Sequence, residues 1–237
     1  MDDATKNAAA KFDESRAGEY ATQSRIALAG YDACHELVAC VLAASLGTGR
    51  PARILIVGAG GTGQEIVTAG ALEPAWRFTA VDPSEPMLSL ARSRVASTPT
   101  AARTTFHLGT VQELPVKSTF DAATLIGVLH HLPGVDAKQD LLRAIAARLE
   151  PDAPFILAGN YRAYASEPLL LAAWAQRWRL HGAPPDEVKA KLGKILQGVD
   201  PPASEHAVES LLADAGFEAP TRFFSSLFWG AWVTRKA

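Results

Sequence analysis

The sequence predicts an α/β fold in which a mostly parallel sheet carries helices on both faces. Between residues 53 and 160, short apolar runs alternate with segments of helical periodicity, the order typical of such a sheet. The first apolar run leads directly into a cluster of glycines that opens a helix. The chain then ends in two aromatic-rich runs joined by a short link, which indicates an antiparallel pair. We therefore expect five parallel strands followed by a strand that runs in reverse.

The predicted elements can be justified in chain order. Strands are expected at 53–57, 77–82, 104–110, within 120–133 and at 153–160, because these runs are apolar and bounded by turn residues. The last two strands are expected at 221–226 and 228–236. Helices are expected at 31–47, from about Thr62, at 83–96, 136–152 and 204–217, with two more between 166 and 199. Ser84 is the expected N-cap of its helix, and Asp136 and Gln139 have the spacing of a capping box.

Composition and charge narrow the class of protein. The chain has 237 residues, of which 48% are apolar, enough for one α/β domain over 1–237 with a large core and extra helices. A formal net charge of −2 gives no overall attraction for nucleic acid or anionic membranes. No apolar run approaches the ~20 residues that span a bilayer, and the polar, acidic N-terminus does not read as a signal peptide. We expect a cytoplasmic protein in which Cys34 and Cys40 are buried free thiols.

The glycine cluster after the first strand predicts a nucleotide-type ligand. Gly58, Gly60 and Gly63 match G-x-G-x-x-G between an apolar strand and a helix, where glycine lets the backbone approach a ligand closely. Asp82 ends the next strand, 24 residues after Gly58, and a carboxylate there can accept both hydroxyls of a ribose. A phosphate-binding P-loop is excluded because Gly-Gln-Glu stands where Gly-Lys-Ser/Thr is required. A dinucleotide and S-adenosylmethionine (SAM) both remain open at this point.

Longer stretches resemble the class I SAM-dependent methyltransferases. They are "ILIVGAGGTGQEI", "FTAVDPSEPML", "LGTVQELPVKSTFDAATLIGVLHHL", "LEPDAPFILA" and "LLADAGFEAPTRFFSSLFWGAWVTRK". The resemblance implies a Rossmann-like sheet of seven strands with an antiparallel last strand. It also implies SAM as cofactor, S-adenosylhomocysteine as product, and in-line transfer of a methyl group to N or O of a small-molecule acceptor. The partner is thus a small molecule and not nucleic acid or a membrane, and we expect a monomer or homodimer.

The resemblance also assigns cofactor-binding residues. Gly58, Ala59 and Gly60 form the turn that faces SAM, and Asp82 binds its ribose. Val111 presents its backbone N–H to the adenine ring, on which Pro83 or Met87 packs. Ile126 and Gly127 contact the methionine part, and Tyr31 closes over SAM from the N-terminal segment. Two positions depart from the family pattern, because Ile56 and Thr110 stand where acidic residues are common. Thr110 is still expected to bind the cofactor, since its hydroxyl can form a hydrogen bond with the adenine amine.

Candidate catalytic residues follow the fourth and fifth strands. His130 and His131 are adjacent, so we expect at most one to face the site. It would serve as a proton acceptor for an N or O acceptor, as a wall of the cofactor pocket, or in a purely structural role. Tyr161, with Arg162 and Tyr164, is expected to line the acceptor pocket. The remaining histidines show no metal-ligand spacing, so no metal site is predicted.

A narrower resemblance is to the carboxy-SAM synthases, which act in wobble-uridine modification of tRNA. It rests on Phe12–Glu14 and Gly30-Tyr31 at the same separation, on a helical insert after the fifth strand, and on the aromatic C-terminus. We expect 1–48 to form a helical cap and 160–200 a helical lid over the site. The carboxylate-binding arginine of those enzymes aligns with Gly193, which supplies no cation.

Two alternatives to a small-molecule methyltransferase therefore stay open. Lys191 or Lys194 could replace the missing arginine, and the chain would then make or use carboxy-SAM. The departures at Ile56 and Thr110 leave a non-catalytic SAM-binding protein as the other alternative.

Overall fold

A computed structural model of the chain describes the backbone of residues 14–237 and the side chains from Tyr20 onward. The match at Phe12 and Asp13, and residues 1–13 of the expected cap, lie outside the described residues. Seven strands form one sheet: β1 Arg53–Val57, β2 Arg77–Asp82, β3 Thr104–Leu108, β4 Ala122–Ile126, β5 Pro154–Asn160, β6 Thr221–Ser226 and β7 Trp229–Arg235. Their bounds confirm the predicted strands to within a few residues.

The strand order in the sheet is β3-β2-β1-β4-β5-β7-β6. The first five strands pair in parallel. β7 is antiparallel to both of its neighbours, with Ala231 opposite Ala158 of β5 and Phe224 of β6. The last strand of the chain is therefore inserted between β5 and β6, and β6 forms the edge. This arrangement confirms the predicted α/β fold with an antiparallel last strand.

Helices cover both faces of the sheet. Those described are α1 Glu14–Ala27, α2 Tyr31–Leu46, α3 Gln64–Leu72, α4 Glu85–Ala96, α5 Gly134–Ala146, α6 Pro168–Leu180, α7 Pro185–Gly198 and α8 Glu205–Asp214. The Ser84 side chain accepts a hydrogen bond from the Met87 N–H and caps α4 as predicted.

The predicted capping box at Asp136 and Gln139 is wrong. Helix α5 starts two residues earlier, at Gly134, with Pro133 at the N-cap position. Asp136 therefore lies inside the first turn, and buried Gln139 donates to the carbonyl of Leu211 on α8.

The core has two layers because side chains alternate along each strand. On β1, Ile54 and Ile56 face the layer built with α2 and α3, while Leu55 and Val57 face the layer built with α5 and α8. The expectation of two buried thiols is wrong in part, since Cys34 is buried but Cys40 is exposed. Cys40 lies on the outer face of α2, away from the sheet.

Helices α1, α6 and α7 pack on one another. We call these three helices the cap; they combine part of the segment 1–48 with the predicted lid over 160–200. Trp174 of α6 donates from Nε1 to the Ala27 carbonyl at 2.8 Å, and Arg177 donates to the Ile26 carbonyl at 2.7 Å. Lys191 of α7 donates to the Gln23 side chain at 3.0 Å. The bonds from Trp174 and Arg177 satisfy carbonyls at the end of α1 that have no partner within the helix. All three bonds fasten α1 to the insert that follows β5.

Within the described part of the chain, no single helix is long and apolar enough to cross a membrane. The segments Tyr20–Ala27 and Tyr31–Leu46 meet that length and composition only when taken together, across a bend of 84°.

Candidate cofactor and acceptor site

The glycine turn after β1 is shaped by close contacts that exclude larger residues. Gly58 has φ +69°, and a Cβ there would overlap the Val128 side chain. At Gly60, a Cβ would lie 2.5 Å from Met87 Cβ and 2.6 Å from Asp82 Oδ2. Any other residue would push the turn away from the end of β2. The sequence therefore places glycine where the backbone must lie against Asp82.

The N–H groups at the start of this turn already have partners inside the protein. Gly58 and Ala59 both donate to the Val81 carbonyl, at 2.8 Å and 3.2 Å. Gly60 donates to Asp82 Oδ2 at 2.9 Å, and Gly61 donates to the Met87 carbonyl at 2.9 Å. A pyrophosphate bound at a glycine turn needs such N–H groups as donors. The turn therefore offers little to the phosphates of a dinucleotide.

Asp82 lies at the end of β2 with its carboxylate held in a fixed direction. One oxygen accepts from Gly60, and the other accepts from the Ser84 N–H at 2.8 Å. Burial raises the pKa of this carboxyl to about 6, against the lowering effect of these two bonds. The carboxylate lines a cavity of about 540 Å³ together with Gly58, Gly60, Met87 and Gly127, which we call the turn cavity. Two rigid oxygens at its wall suit a pair of neighbouring hydroxyls.

A second cavity, the strand-end cavity, has a volume of about 660 Å³ and lies at the ends of β1 and β2. Thr110, Val111, Pro83, Val128 and Leu132 line it with Asp140. Pro83 also lines the turn cavity, whereas Met87 lines the turn cavity alone. The Thr110 N–H donates to Glu113 Oε2 at 2.7 Å, which fixes the start of the short turn Val111–Glu113. The cavity lined by Pro83 and Val111 is largely apolar and therefore suits a heterocyclic ring.

Another cavity, of about 1020 Å³, extends from the glycine turn to the cap. Its aromatic wall consists of Tyr31, Tyr164, Trp174, Trp178 and Trp229, for which we call it the aromatic cavity. It shares Tyr20, Gly58, Gly60, Ile126, Gly127 and His131 with the turn cavity. The two cavities therefore meet at the glycine turn and at the end of β4.

The central part of the chain matches a known family. Residues 55–155 match a family model described as a methyltransferase domain. This match and the order of the strands decide the class of fold. The fold is that of the class I methyltransferases. No curated protein is similar in sequence at a significant level.

Solved structures agree with this fold. A candidate O-methyltransferase of Nostoc punctiforme has a TM-score of 0.63 at 18% identity, over 85% of this chain and 55% of its own. Human N-acetylserotonin methyltransferase in complex with SAM has a TM-score of 0.59 at 16% identity, over 86% of this chain and 51% of its own. An O-methyltransferase family 2 protein of Planctomyces limnophilus, in complex with apigenin, has a TM-score of 0.61 at 15% identity, over 86% of this chain and 62% of its own. The chain thus spans between half and two thirds of the length of these structures. Together with the family match they support methyl transfer without specifying the acceptor.

Both histidines after β4 lie at the aromatic cavity of this methyltransferase fold. The expectation that at most one would do so is wrong, because the turn Leu129–His131 is a 3-10 turn. With three residues per turn, adjacent side chains are only ~120° apart, and the two ring centroids lie 4.3 Å from each other. His131 also lines the turn cavity. Burial, followed by the proximity of His131 and Lys138, holds the pKa of His130 well below its usual range, so this imidazole is neutral.

Tyr161 lies outside the residues that line these cavities. Its ring packs edge-on against Trp232 at 5.0 Å in the core, and its hydroxyl accepts hydrogen bonds from Arg162 and Arg222. Tyr164 is the tyrosine of this segment that lines the aromatic cavity, and its hydroxyl accepts from Asn160 at 2.7 Å. Ala59 likewise has its side chain in the core.

Glu65 is a candidate residue that the sequence analysis missed. It lies in the first turn of α3, with only 7% of the residue exposed, and lines the aromatic cavity. Burial raises the pKa of its carboxyl to about 7. The available signal was its position on the same helical face as Ile66 and Ala69, which are buried. A carboxylate on a buried face next to a glycine turn indicates a functional group rather than a surface charge.

Proposed function

We propose that the chain is a SAM-dependent methyltransferase that transfers a methyl group to N or O of a small aromatic acceptor. One observation carries the proposal, namely that the cavity at Asp82 and the aromatic cavity meet at the glycine turn and His131. Such an arrangement brings a nucleoside-bearing donor and a flat acceptor together at one point. The family match over 55–155 supports the reaction class.

The lining residues fit SAM better than a dinucleotide. Asp82 would bind the ribose hydroxyls, and the strand-end cavity between Pro83 and Val111 would take the adenine ring. Gly58 and Gly127 would lie along the methionine part. The N–H groups of residues 58–61 already have partners. The described residues that line the turn and aromatic cavities include no Lys or Arg, so this part of the turn offers few donors to a pyrophosphate.

When bound, SAM supplies an electrophilic methyl group, and the chain's own residues place the acceptor. The aromatic wall excludes water and holds a planar molecule by stacking. His131 lies where the two cavities meet and is proposed to accept the proton that an acceptor hydroxyl or amine loses. His130 packs against it as a neutral ring that adds no competing positive charge.

The carboxy-SAM alternative is disfavoured by the positions of the two lysines. Lys191 forms an ion pair with Glu187 at 3.2 Å and donates to Gln23, while Lys194 is exposed. Neither lines the aromatic cavity, and a side chain at Gly193 would meet nothing within 4 Å. A second carboxylate on the cofactor would lack a cation among the described residues, which is costly in a half-buried site. A non-catalytic role is disfavoured by the space that the aromatic cavity leaves for an acceptor.

The test is calorimetry with SAM, S-adenosylhomocysteine, carboxy-SAM and NAD, followed by mass spectrometry of products formed from a panel of phenols and aromatic amines. We expect micromolar-range binding of SAM and S-adenosylhomocysteine, weakened by about 1.5–3 kcal/mol in Asp82→Ala, the scale of a hydrogen bond to a charged group. Binding of NAD without SAM would overturn the cofactor assignment. Preference for carboxy-SAM would move the function to tRNA modification.

A further inference from the structure

Glu65 has an unusual position for a carboxylate. Glu65 is only 7% exposed and lines the aromatic cavity close to the glycine turn. Its Oε1 atom is buried without a hydrogen-bond partner among the described residues. A carboxylate that leaves water without a partner costs free energy, so a group outside the described chain is expected to satisfy it.

The surroundings of Glu65 define the charge of that group. Asp82 lies near enough to help raise the pKa of Glu65, although burial is the larger cause. The described lining of the aromatic and turn cavities includes both of these acids and no Lys or Arg. A ligand with positive charge and N–H donors would satisfy the unpaired oxygen and offset the repulsion between the two carboxylates.

The titratable groups on the first two helices do not neutralise Glu65. Burial holds the pKa of His35, which lines the same cavity, below its usual range. Tyr20 and Tyr31 come from the first two helices, and Cys34 follows on α2; Glu65 contributes to the raised pKa of all three. Burial is the main cause, and it raises the pKa of Tyr31 and of Cys34 to about 12. All three therefore stay uncharged near neutral pH. The Tyr31 hydroxyl is paired with the Thr62 hydroxyl.

We propose that Glu65 binds the α-ammonium group of the amino-acid end of the cofactor. The inference rests on the proposed function, which places the methionine part along Gly58 and Gly127 and so next to the start of α3. Helix α3 would thus contribute a charged ligand contact that complements the ribose contact of Asp82. Glu65 is a cofactor-binding residue in this assignment, not a proton acceptor in methyl transfer.

The same chemistry, an ammonium group, could come from an amine acceptor instead of the cofactor. Two ligands distinguish the sources. S-adenosylhomocysteine carries the amino-acid end, whereas 5′-methylthioadenosine keeps the adenosine and the sulfur but lacks that end. Glu65→Gln removes the charge at constant shape, and Glu36→Gln removes a charge from an exposed position on α2 as a matched control.

The experiment is calorimetric titration of the full chain and both variants with the two ligands. We expect Glu65→Gln to weaken S-adenosylhomocysteine binding by about 10- to 100-fold, the scale for a charge-assisted hydrogen bond. Its affinity for 5′-methylthioadenosine should change less than about 2-fold, and Glu36→Gln should leave both affinities unchanged. Equal weakening of the two ligands, or no weakening of either, would overturn the assignment. Failure of the unmodified chain to bind S-adenosylhomocysteine would instead overturn the proposed function.

A second measurement needs no variant. Titration of the unmodified chain at pH 7 in two buffers of different ionisation enthalpy reports protons released on binding. S-adenosylhomocysteine should release more protons than 5′-methylthioadenosine, because only the first would bring an ammonium against Glu65 and lower its pKa. Asp82 also titrates near this pH. It would contact the ribose of both ligands, so its proton release is the same for both and cancels in the difference. Equal proton release by the two ligands would contradict the assignment.

Discussion

Lys138 Nζ donates to Asp200 Oδ2 at 2.8 Å, and this pair joins α5 to the segment that returns from α7. The lysine side chain is only 4% exposed and also donates to the carbonyls of Leu132 and Gly134. Asp200 accepts from the Gly134 N–H at 2.7 Å, and its own N–H donates to the His130 carbonyl at 2.8 Å. The return of the helical insert is thereby fixed to the turn that carries both histidines.

Replacement of Asp200 tests this connection. Asp200→Ala leaves a buried ammonium with two carbonyls and no counter-ion, so we expect a loss of about 1–2 kcal/mol of unfolding free energy, less than for a fully buried pair because Asp200 is half exposed. Chemical denaturation with Lys138→Met and the double variant measures the coupling. Strict additivity of the two changes would contradict an energetic link between the residues.

The buried carboxylate at Glu65 predicts a pH-dependent cost in the ligand-free protein. Burial raises its pKa from 4.5 to about 7, so the folded state holds this proton longer than the unfolded state. Its contribution to stability is full below pH 4.5 and is lost as the pH rises through about 7, a change of about 3 kcal/mol. Glu65→Gln should therefore stabilise the ligand-free chain at pH 8 and have little effect at pH 4.5. A gain of equal size at both pH values, measured by urea unfolding, would refute the explanation.

The two histidines predict a specific kinetic pattern. If His131 accepts the proton of the acceptor, His131→Gln should lower kcat by about 10²-fold or more, the scale of general base catalysis, while the dissociation constant of S-adenosylhomocysteine changes far less. His181→Gln is a suitable control, because His181 is exposed at the end of α6. An unchanged kcat with a large loss of cofactor affinity would assign His131 to the wall of the cofactor pocket.

The cap is expected to respond to the cofactor as one unit. Tyr20 of α1 lies over the glycine turn, where a Cβ on Gly61 would overlap its ring, and α1 is bonded to α6 and α7. Addition of SAM should slow hydrogen exchange in residues 14–30 and 160–200 together, with α8 unchanged. Protection of one of these two segments alone would show that they do not move as a unit.

The sequence predicted best those features that depend on local pattern. The strands were found because buried parallel strands are apolar on both faces, and Ser84 because its N-cap role needs only a side-chain oxygen at the right place. The start of α5 was mispredicted because Pro133 takes the N-cap position in place of an Asp136 capping box. The directions of side chains after a strand were harder to predict. His130 and His131 both reach the cavity because a 3-10 turn, not an extended segment, carries them.

Tyr161 and Glu65 show what pattern alone does not fix. Both are polar residues adjacent to strands or turns at the expected end of the sheet. Tyr161 turns into the core, where Arg162 and Arg222 donate to its hydroxyl. Arg162 is its neighbour in sequence, but Arg222 lies 61 residues away. Glu65 turns toward the cavity because α3 packs its Ile66 face on the sheet. Such outcomes depend on tertiary packing that periodicity does not encode.

The division of the cavity walls between segments has a practical meaning for redesign. Tyr164, Trp174, Trp178, Ile195 and Val199 come from one contiguous stretch after β5, whereas Asp82, the glycine turn and Gly127 come from the first half of the sheet. The stretch begins after β5, where the Tyr161 N–H donates to the Phe228 carbonyl, and it ends at Asp200, which Lys138 binds. Both ends are therefore held by the rest of the fold. Under the proposed function, a new acceptor preference would be sought by exchanging side chains of this stretch that face the cavity, while the bonds of Trp174 and Arg177 to α1 are kept and the half that holds Asp82 stays unchanged.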